Sequence, residues 1–152
     1  MTAQEVHEEK NTFQVDVFLP GHDPRTTTAL FTSSKKKLLS KITQCFICGD
    51  NAEQAGLPLE AHHYPIERCF ANAMDWELVK KDFPNFAWES FNVEDPYTFV
   101  DDMEVNGVLL CKKHHTGKDE GVHCLPHPIW IAQKYCKAGY KFSDVEVIHH
   151  SV

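Results

Sequence analysis

Leu59-Glu60-Ala61-His62-His63-Tyr64-Pro65 sets two adjacent imidazoles just before a proline. The run reads as a short strand that Pro65 ends. Adjacent side chains of a regular strand point to opposite faces. His62 and His63 therefore serve one site only at the strand's end, where the chain turns, and Pro65 supports a turn there. Under that geometry His62 ligates a divalent ion. His63 stands across the reaction centre as a general base, a role that suits imidazole because it titrates near pH ~6.5 as a side-chain class.

Two further motifs bracket this strand. Cys45-Phe46-Ile47-Cys48 is followed by Gly49-Asp50, a tight turn that brings two thiolates to one ion. Cys111-Lys112-Lys113-His114 falls where a strand meets a helix. Together Cys45, Cys48, Cys111 and His114 predict a closed Cys₃His structural zinc site, which stabilises the fold and does no chemistry. Reduced core cysteines are the plainer reading of the same residues. Cys124-x-x-His127 is a competing half-site, made stiffer by Pro126 and Pro128. Cys69 and Cys136 read as packed core thiols.

His115 follows His114 directly. On a helix the two diverge by about 100°, so one staples the fold while the other faces the hairpin. Asp119 lies four residues on and would share a helical face with His115 as third ligand or outer carboxylate. His123 is a weaker candidate.

Residues 12–19 alternate (Phe13, Val15, Val17, Leu19) and predict a strand. The turn cluster Pro20-Gly21-His22-Asp23-Pro24 and the Thr-rich residues 26–32 suggest a return strand, completing an N-terminal hairpin. Ser33-Ser34 is positioned to cap a helix to about Thr43, with Leu38, Leu39 and Ile42 as its apolar stripe. Its lysines, Lys35, Lys36, Lys37 and Lys41, read first as a solvated face and second as a phosphate-contacting patch. A helix with Trp76, Val79 and Phe83 at helical spacing ends before Pro84. Residues 84–105 are acidic and aromatic, which predicts an ordered insertion rather than a loose loop. Asn106-Gly107 is a hairpin-turn signal before the strand Val108-Leu109-Leu110. A helix from Lys112 to about Glu120 is weakened by Gly117. Pro128 opens a helix to near Gly139, and residues 144–148 alternate as a last strand.

The 152 residues carry 42% hydrophobic residues with 10 Phe, 3 Trp and 4 Tyr, enough for a core. Fifteen basic against 22 acidic residues, a net charge of −7, argue against a strongly basic nonspecific DNA binder. They do not exclude a nucleic-acid enzyme, because a bound divalent ion supplies local positive charge. No apolar run is long enough to span a bilayer, and the polar, acidic residues 1–10 do not form a secretory signal. The expected location is cytoplasmic and reducing, where six Cys and ten His mean metal ligands and free thiols rather than disulfides. A thiol redox protein is disfavoured because the Cys-x-x-Cys lacks a βαβ setting.

Cys45-x-x-Cys48, then Glu60-Ala61-His62-His63-Tyr64-Pro65-Ile66, then Asn106-Gly107-Val108-Leu109-Leu110-Cys111-x-x-His114-His115-x-x-Lys118 resembles the HNH endonuclease superfamily, the ββα-metal finger, over residues 45–120. The resemblance implies that His62 and His115 bind the catalytic ion and that His63 is the general base. It implies that Asn106 is the middle Asn, buttressing the loop between the hairpin strands and orienting the base. His114 stands where the family usually has a fourth zinc Cys, and residues 70–105 are an insertion into the family core.

The resulting expectation is an α+β chain. Residues 1–44 form a hairpin and helix, residues 45–125 a ββα-metal core, and residues 126–152 a helix and strand, packed as one domain. The implied activity is metal-assisted phosphodiester hydrolysis of nucleic acid, DNA first, with structural Zn²⁺ and catalytic Mg²⁺ or another divalent ion. Lys118 and Arg68 are candidate phosphate contacts. The alternative is an inactive zinc-stabilised module that binds a protein or nucleic acid, with the acidic aromatic insertion as the protein-docking surface.

Overall fold

The computed structural model describes residue 16, residues 19–21 and residues 26–135. The elements run α1 (Ala29–Lys41), α2 (Ala52–Ala55), β1 (Glu60–His63), α3 (Trp76–Asp82), α4 (Tyr97–Val100), β2 (Gly107–Leu110), α5 (Lys112–Thr116) and α6 (His127–Ala132). Single 3₁₀ segments cover Arg68–Ala73 and Trp88–Ser90. The class is α+β.

β1 and β2 pair antiparallel, with Glu60 opposite Leu110, Ala61 opposite Leu109, His62 opposite Val108 and His63 opposite Gly107. Two strands of this length are not stable alone. They are held by what packs on them. The cysteine turn docks by a bond from the Phe46 amide to the Leu109 carbonyl at 2.8 Å. Leu59, Leu109 and Leu110 bury with Ile47, Leu38, Met103 and Trp130 in one apolar cluster, which also takes in Cys45, Cys48 and Cys111. α5 leaves β2 after one residue and lies against both strands.

α1 begins at Ala29, earlier than Ser33-Ser34 predicts, so residues 29–32 are helical and the expected return strand is absent there. The reason is local: Thr28 is the N-cap, its hydroxyl accepting from the Phe31 amide at 3.0 Å. Ser34 has another task. Buried within α1, it donates to the Asp101 carbonyl and accepts from the Met103 amide, both at 2.9 Å. The buried face of α1 runs through Ser34 and Leu38, so Leu39 and Ile42 of the expected stripe are 37% and 45% exposed. Lys36, Lys37 and Lys41 are exposed, and Lys41 pairs with Glu104 of the insertion. The expected strand over residues 12–19 lies almost wholly outside the described residues, and that over residues 144–148 wholly so, as does Cys136.

The insertion folds around Phe99, which is fully buried. Trp76, Phe83, Phe86 and Trp88 surround it with ring centroids 5.1–5.5 Å away. Edge-on and stacked contacts of this kind each add about 0.5–1.5 kcal/mol beyond the burial of area. This second core, with Ala71, Trp76 and Val100, packs α4 against the Arg68–Ala73 segment. Asn106 fixes the join. Its side chain accepts from the Ile66 amide at 3.0 Å and donates to the carbonyls of Ile66 and Val100 at 2.8 and 3.0 Å. Asn106-Gly107 is therefore not the tip of a tight hairpin. Residues 64–106 connect the strands, and Asn106 clamps the two ends of that connection together.

α5 stops at Thr116, well before the expected Glu120. Beyond it the chain doubles back, with the Val122 and His123 amides donating to the His114 and His115 carbonyls at 3.0 and 3.2 Å. Gly117 and Gly121 permit the return. A Cβ on Gly121 would sit 2.6–2.8 Å from backbone atoms of Gly117 and His115, and one on Gly117 would collide with the Lys113 carbonyl. α6 is regular only to Ala132, short of the expected Gly139.

Candidate metal centres and the histidine cleft

Cys45, Cys48, Cys111 and His114 converge, all four buried and each offering a ligand atom within 4.8 Å of the others. The Cys48 and Cys111 sulfurs are 3.9 Å apart, and Cys111 Sγ is 3.2 Å from His114 Nδ1. Bonds of 2.3 Å to a tetrahedral zinc would place two sulfurs about 3.8 Å apart. Gly49, at φ 80°, takes the left-handed conformation that turns the chain after Cys48. The Cys45 thiol is drawn far down by hydrogen bonds from Cys111 and Cys48, while the same cluster and burial push the Cys48 thiol up. Three crowded sulfurs cannot all ionise alone, but a divalent cation among them lets all three do so. This cluster could hold a metal such as zinc, and the donor set has no open side.

The competing half-site does not assemble. Cys124 is exposed with its sulfur 3.8 Å from the Thr116 carbonyl, and His127 stacks on Tyr64. Cys69 is half-buried rather than packed in the core.

A second convergence lies at the end of β1. His62 and His63 are its last two residues, both buried, and the chain turns at a cis Tyr64–Pro65 bond. Both line one cleft of about 390 Å³, together with Phe31, Glu67, Arg68, His115 and His123. His62, His115 and His123 bring ring nitrogens within 4.8 Å of one another. His115 Nε2 lies 3.1 Å from His123 Nε2, and its Nδ1 lies 3.1 Å from Glu60 Oε1. An ionised carboxylate only accepts, so His115 donates through Nδ1 and turns Nε2 inward as an electron-pair donor. His62 Nε2 lies 3.1 Å from Glu67 Oε1. Burial raises the Glu67 carboxyl, but the hydrogen bond from His62 and the nearby histidines hold it below the usual range overall.

His63 is turned to the other side. Its Nε2 is 3.0 Å from Asp101 Oδ1, and its ring stacks on Phe31 with centroids 5.5 Å apart. Asp101, from the end of α4, is 1% exposed. Its Oδ2 accepts from the Thr28 hydroxyl at 3.0 Å, and Arg68 Nε lies 3.4–3.5 Å from its two oxygens. Burial raises its pKa, and the bonds from His63 and Thr28 with the Arg68 charge outweigh that, leaving it below the usual carboxylate range. With Asp101 ionised, His63 carries its proton on Nε2 and presents Nδ1 as a base.

The remaining expected residues scatter. Asp119 falls in the turn beyond α5, off the His115 face, and is not part of the histidine cluster. The helix that would have aligned it ends at Thr116, with Gly117 as its C-cap. His123 takes that place instead, and the Gly117-x-x-x-Gly121 spacing was the one sequence signal for the return that carries it. Lys118 is exposed and outside the cleft lining. Arg68 lines the cleft but is committed to Asp101 and to the Tyr97 ring, 4.4 Å from its centroid. Asp101, Glu67 and Glu60 carried no sequence signal as site residues.

No family model matches this chain, and comparison with curated proteins and with solved structures gives no match either.

Proposed function

We propose that the protein is a metal-dependent phosphodiester hydrolase of the HNH type, acting on nucleic acid with DNA as the first candidate, and that Cys45, Cys48, Cys111 and His114 hold a structural zinc. One observation carries the hydrolase reading. His63 and His62, adjacent at the end of β1, line the same cleft, His62 converging there with His115 and His123 on a set of donors for one ion. The order of the chemistry along β1, β2 and α5 is that of the HNH resemblance.

In this reading His63 Nδ1 removes a proton from the attacking water, and Asp101 stabilises the imidazolium that forms. Thr28 and Arg68 keep Asp101 ionised and aimed. Phe31 limits rotation of the His63 ring from its face. Asn106 holds Ile66, hence the loop that carries Glu67 and Arg68, against β2. His62, His115 and His123 would hold a divalent ion, which when bound would offset charge developing on the phosphodiester.

The test incubates purified protein with supercoiled plasmid and Mg²⁺, Mn²⁺, Ni²⁺ or Zn²⁺, beside His63→Ala. Nicking by the unaltered protein alone supports the hydrolase. Absence of cleavage with every ion and with single-stranded DNA and RNA refutes it, in favour of a binding module.

A further inference from the structure

We infer that the cleft ion has four protein donors, His62, His115, His123 and Glu67, and belongs to the borderline class of Zn²⁺, Ni²⁺ and Co²⁺ rather than to Mg²⁺. The inference rests on the proposal that this cleft holds an ion, and its test needs no nucleic acid.

Donor spacing is the first argument. Bonds of 2.0–2.1 Å to a tetrahedral ion put adjacent donors about 3.3 Å apart. His115 Nε2 and His123 Nε2 are 3.1 Å apart, and His62 Nε2 and Glu67 Oε1 are also 3.1 Å apart. His62, His115 and His123 already converge within 4.8 Å, and Glu67, held against His62 Nε2 beside them, is the carboxylate placed to close the set. His115 and His123 face each other through Nε2, and the Nδ1 of His115 is taken by Glu60. Glu67 sits two residues past Pro65 with a side chain 40% exposed, and on binding the ion would replace the proton that His62 Nε2 now shares with its carboxylate, the ring keeping its proton on Nδ1.

Charge is the second argument. Three neutral imidazoles leave a divalent ion's charge wholly uncompensated in a cleft where His62 is 5% exposed. Glu67 inside the shell and Glu60 behind His115 together supply two negative charges, which balance it. Donor softness is the third. Mg²⁺ favours oxygen donors and keeps its waters, whereas imidazole suits the later first-row ions. A set of three nitrogens and one carboxylate oxygen selects against Mg²⁺. Zinc-class ions expand from four to five ligands, which leaves room for a phosphate oxygen without losing a protein donor.

The experiment uses full-length protein with its Cys₃His ion in place and follows Co²⁺ by calorimetry and visible absorption. One further Co²⁺ per chain is expected, with no displacement by millimolar Mg²⁺. Glu67→Gln should weaken Co²⁺ binding by at least about tenfold and alter the d–d band. Glu60→Gln should weaken binding and leave the band unchanged, since its contact is to His115 and not to the ion. Unchanged affinity and spectrum in Glu67→Gln would overturn the inference. So would equal competition by Mg²⁺, or the absence of any second ion. Normal Co²⁺ behaviour without plasmid cleavage would sink the hydrolase reading and leave this one standing.

Discussion

Replacing Asp101 by Asn tests the link between the insertion and the chemistry. The change keeps the shape and removes the charge. The orientation of the new amide follows from its neighbours. Oδ2 of Asp101 faces the Thr28 hydroxyl at 3.0 Å and Oδ1 faces His63 Nε2 at 3.0 Å. The Thr28 oxygen already accepts from the Phe31 amide at 3.0 Å, so its proton is directed at Oδ2. The Asn oxygen is therefore expected on that side, and its NH₂ toward His63. The ring must then accept at Nε2 and carry its proton on Nδ1, the nitrogen that should take the proton from water. General-base catalysis is worth roughly 10²–10⁴-fold, or about 3–5 kcal/mol of barrier, and most of it should vanish from kcat with little change in KM. The buried bonds to a charged acceptor, once weakened, should also lower stability by about 2–4 kcal/mol. Single-turnover nicking of plasmid measures the first effect. Histidine ¹⁵N chemical shifts read the tautomer directly, and denaturant titration gives the stability. A variant that cuts at the unaltered rate, with His63 still protonated on Nε2, would refute the assignment of Asp101.

Cys45→Ser should halve the bound metal, from two ions per chain to one by native mass spectrometry, and lower Tm sharply because the short hairpin relies on the cluster. Asn106→Ala strips three bonds, one buried and two part-buried, that join residues 66, 100 and 106. It should cost about 3 kcal/mol and speed amide exchange at Ile66, and unchanged exchange there would count against the clamp. The depressed carboxyls of Asp101 and Glu67 make stability fall in acid: the unfolded chain binds their protons first as pH drops. Their contribution should be complete above about pH 4–5 and lost as pH falls through the lower folded values. Asp102, raised mainly by burial, opposes this weakly. Thermal melts from pH 7 to 3 should show the decline, and Asp101→Asn should flatten part of it.

Where a few neighbouring residues settle the geometry, the chain could be read directly. Cys45-x-x-Cys48 and Cys111-x-x-His114 each span one turn, so spacing alone brings their donors together in pairs, and the four do converge. The spacing of Trp76, Val79 and Phe83 matches the Trp76–Asp82 helix, and β1 ends at His63, just ahead of Pro65. The choice between two helix starts already exceeded local reading: Ser34 looks like a cap until Asp101 and Met103, 67 and 69 residues on, claim its hydroxyl. Asp119 and His123 were separated by one glycine-permitted reversal, visible only once the backbone doubles back on α5. The spacing of cysteines and histidines determined that donors able to hold a metal are present, and that Cys45 pairs with Cys48 and Cys111 with His114. Only the tertiary structure decided which carboxylates serve them. Asp101 and Glu67 reach their histidines across the packed insertion and the turn after β1, and nothing in a residue's near neighbours encodes a contact closed by a distant core.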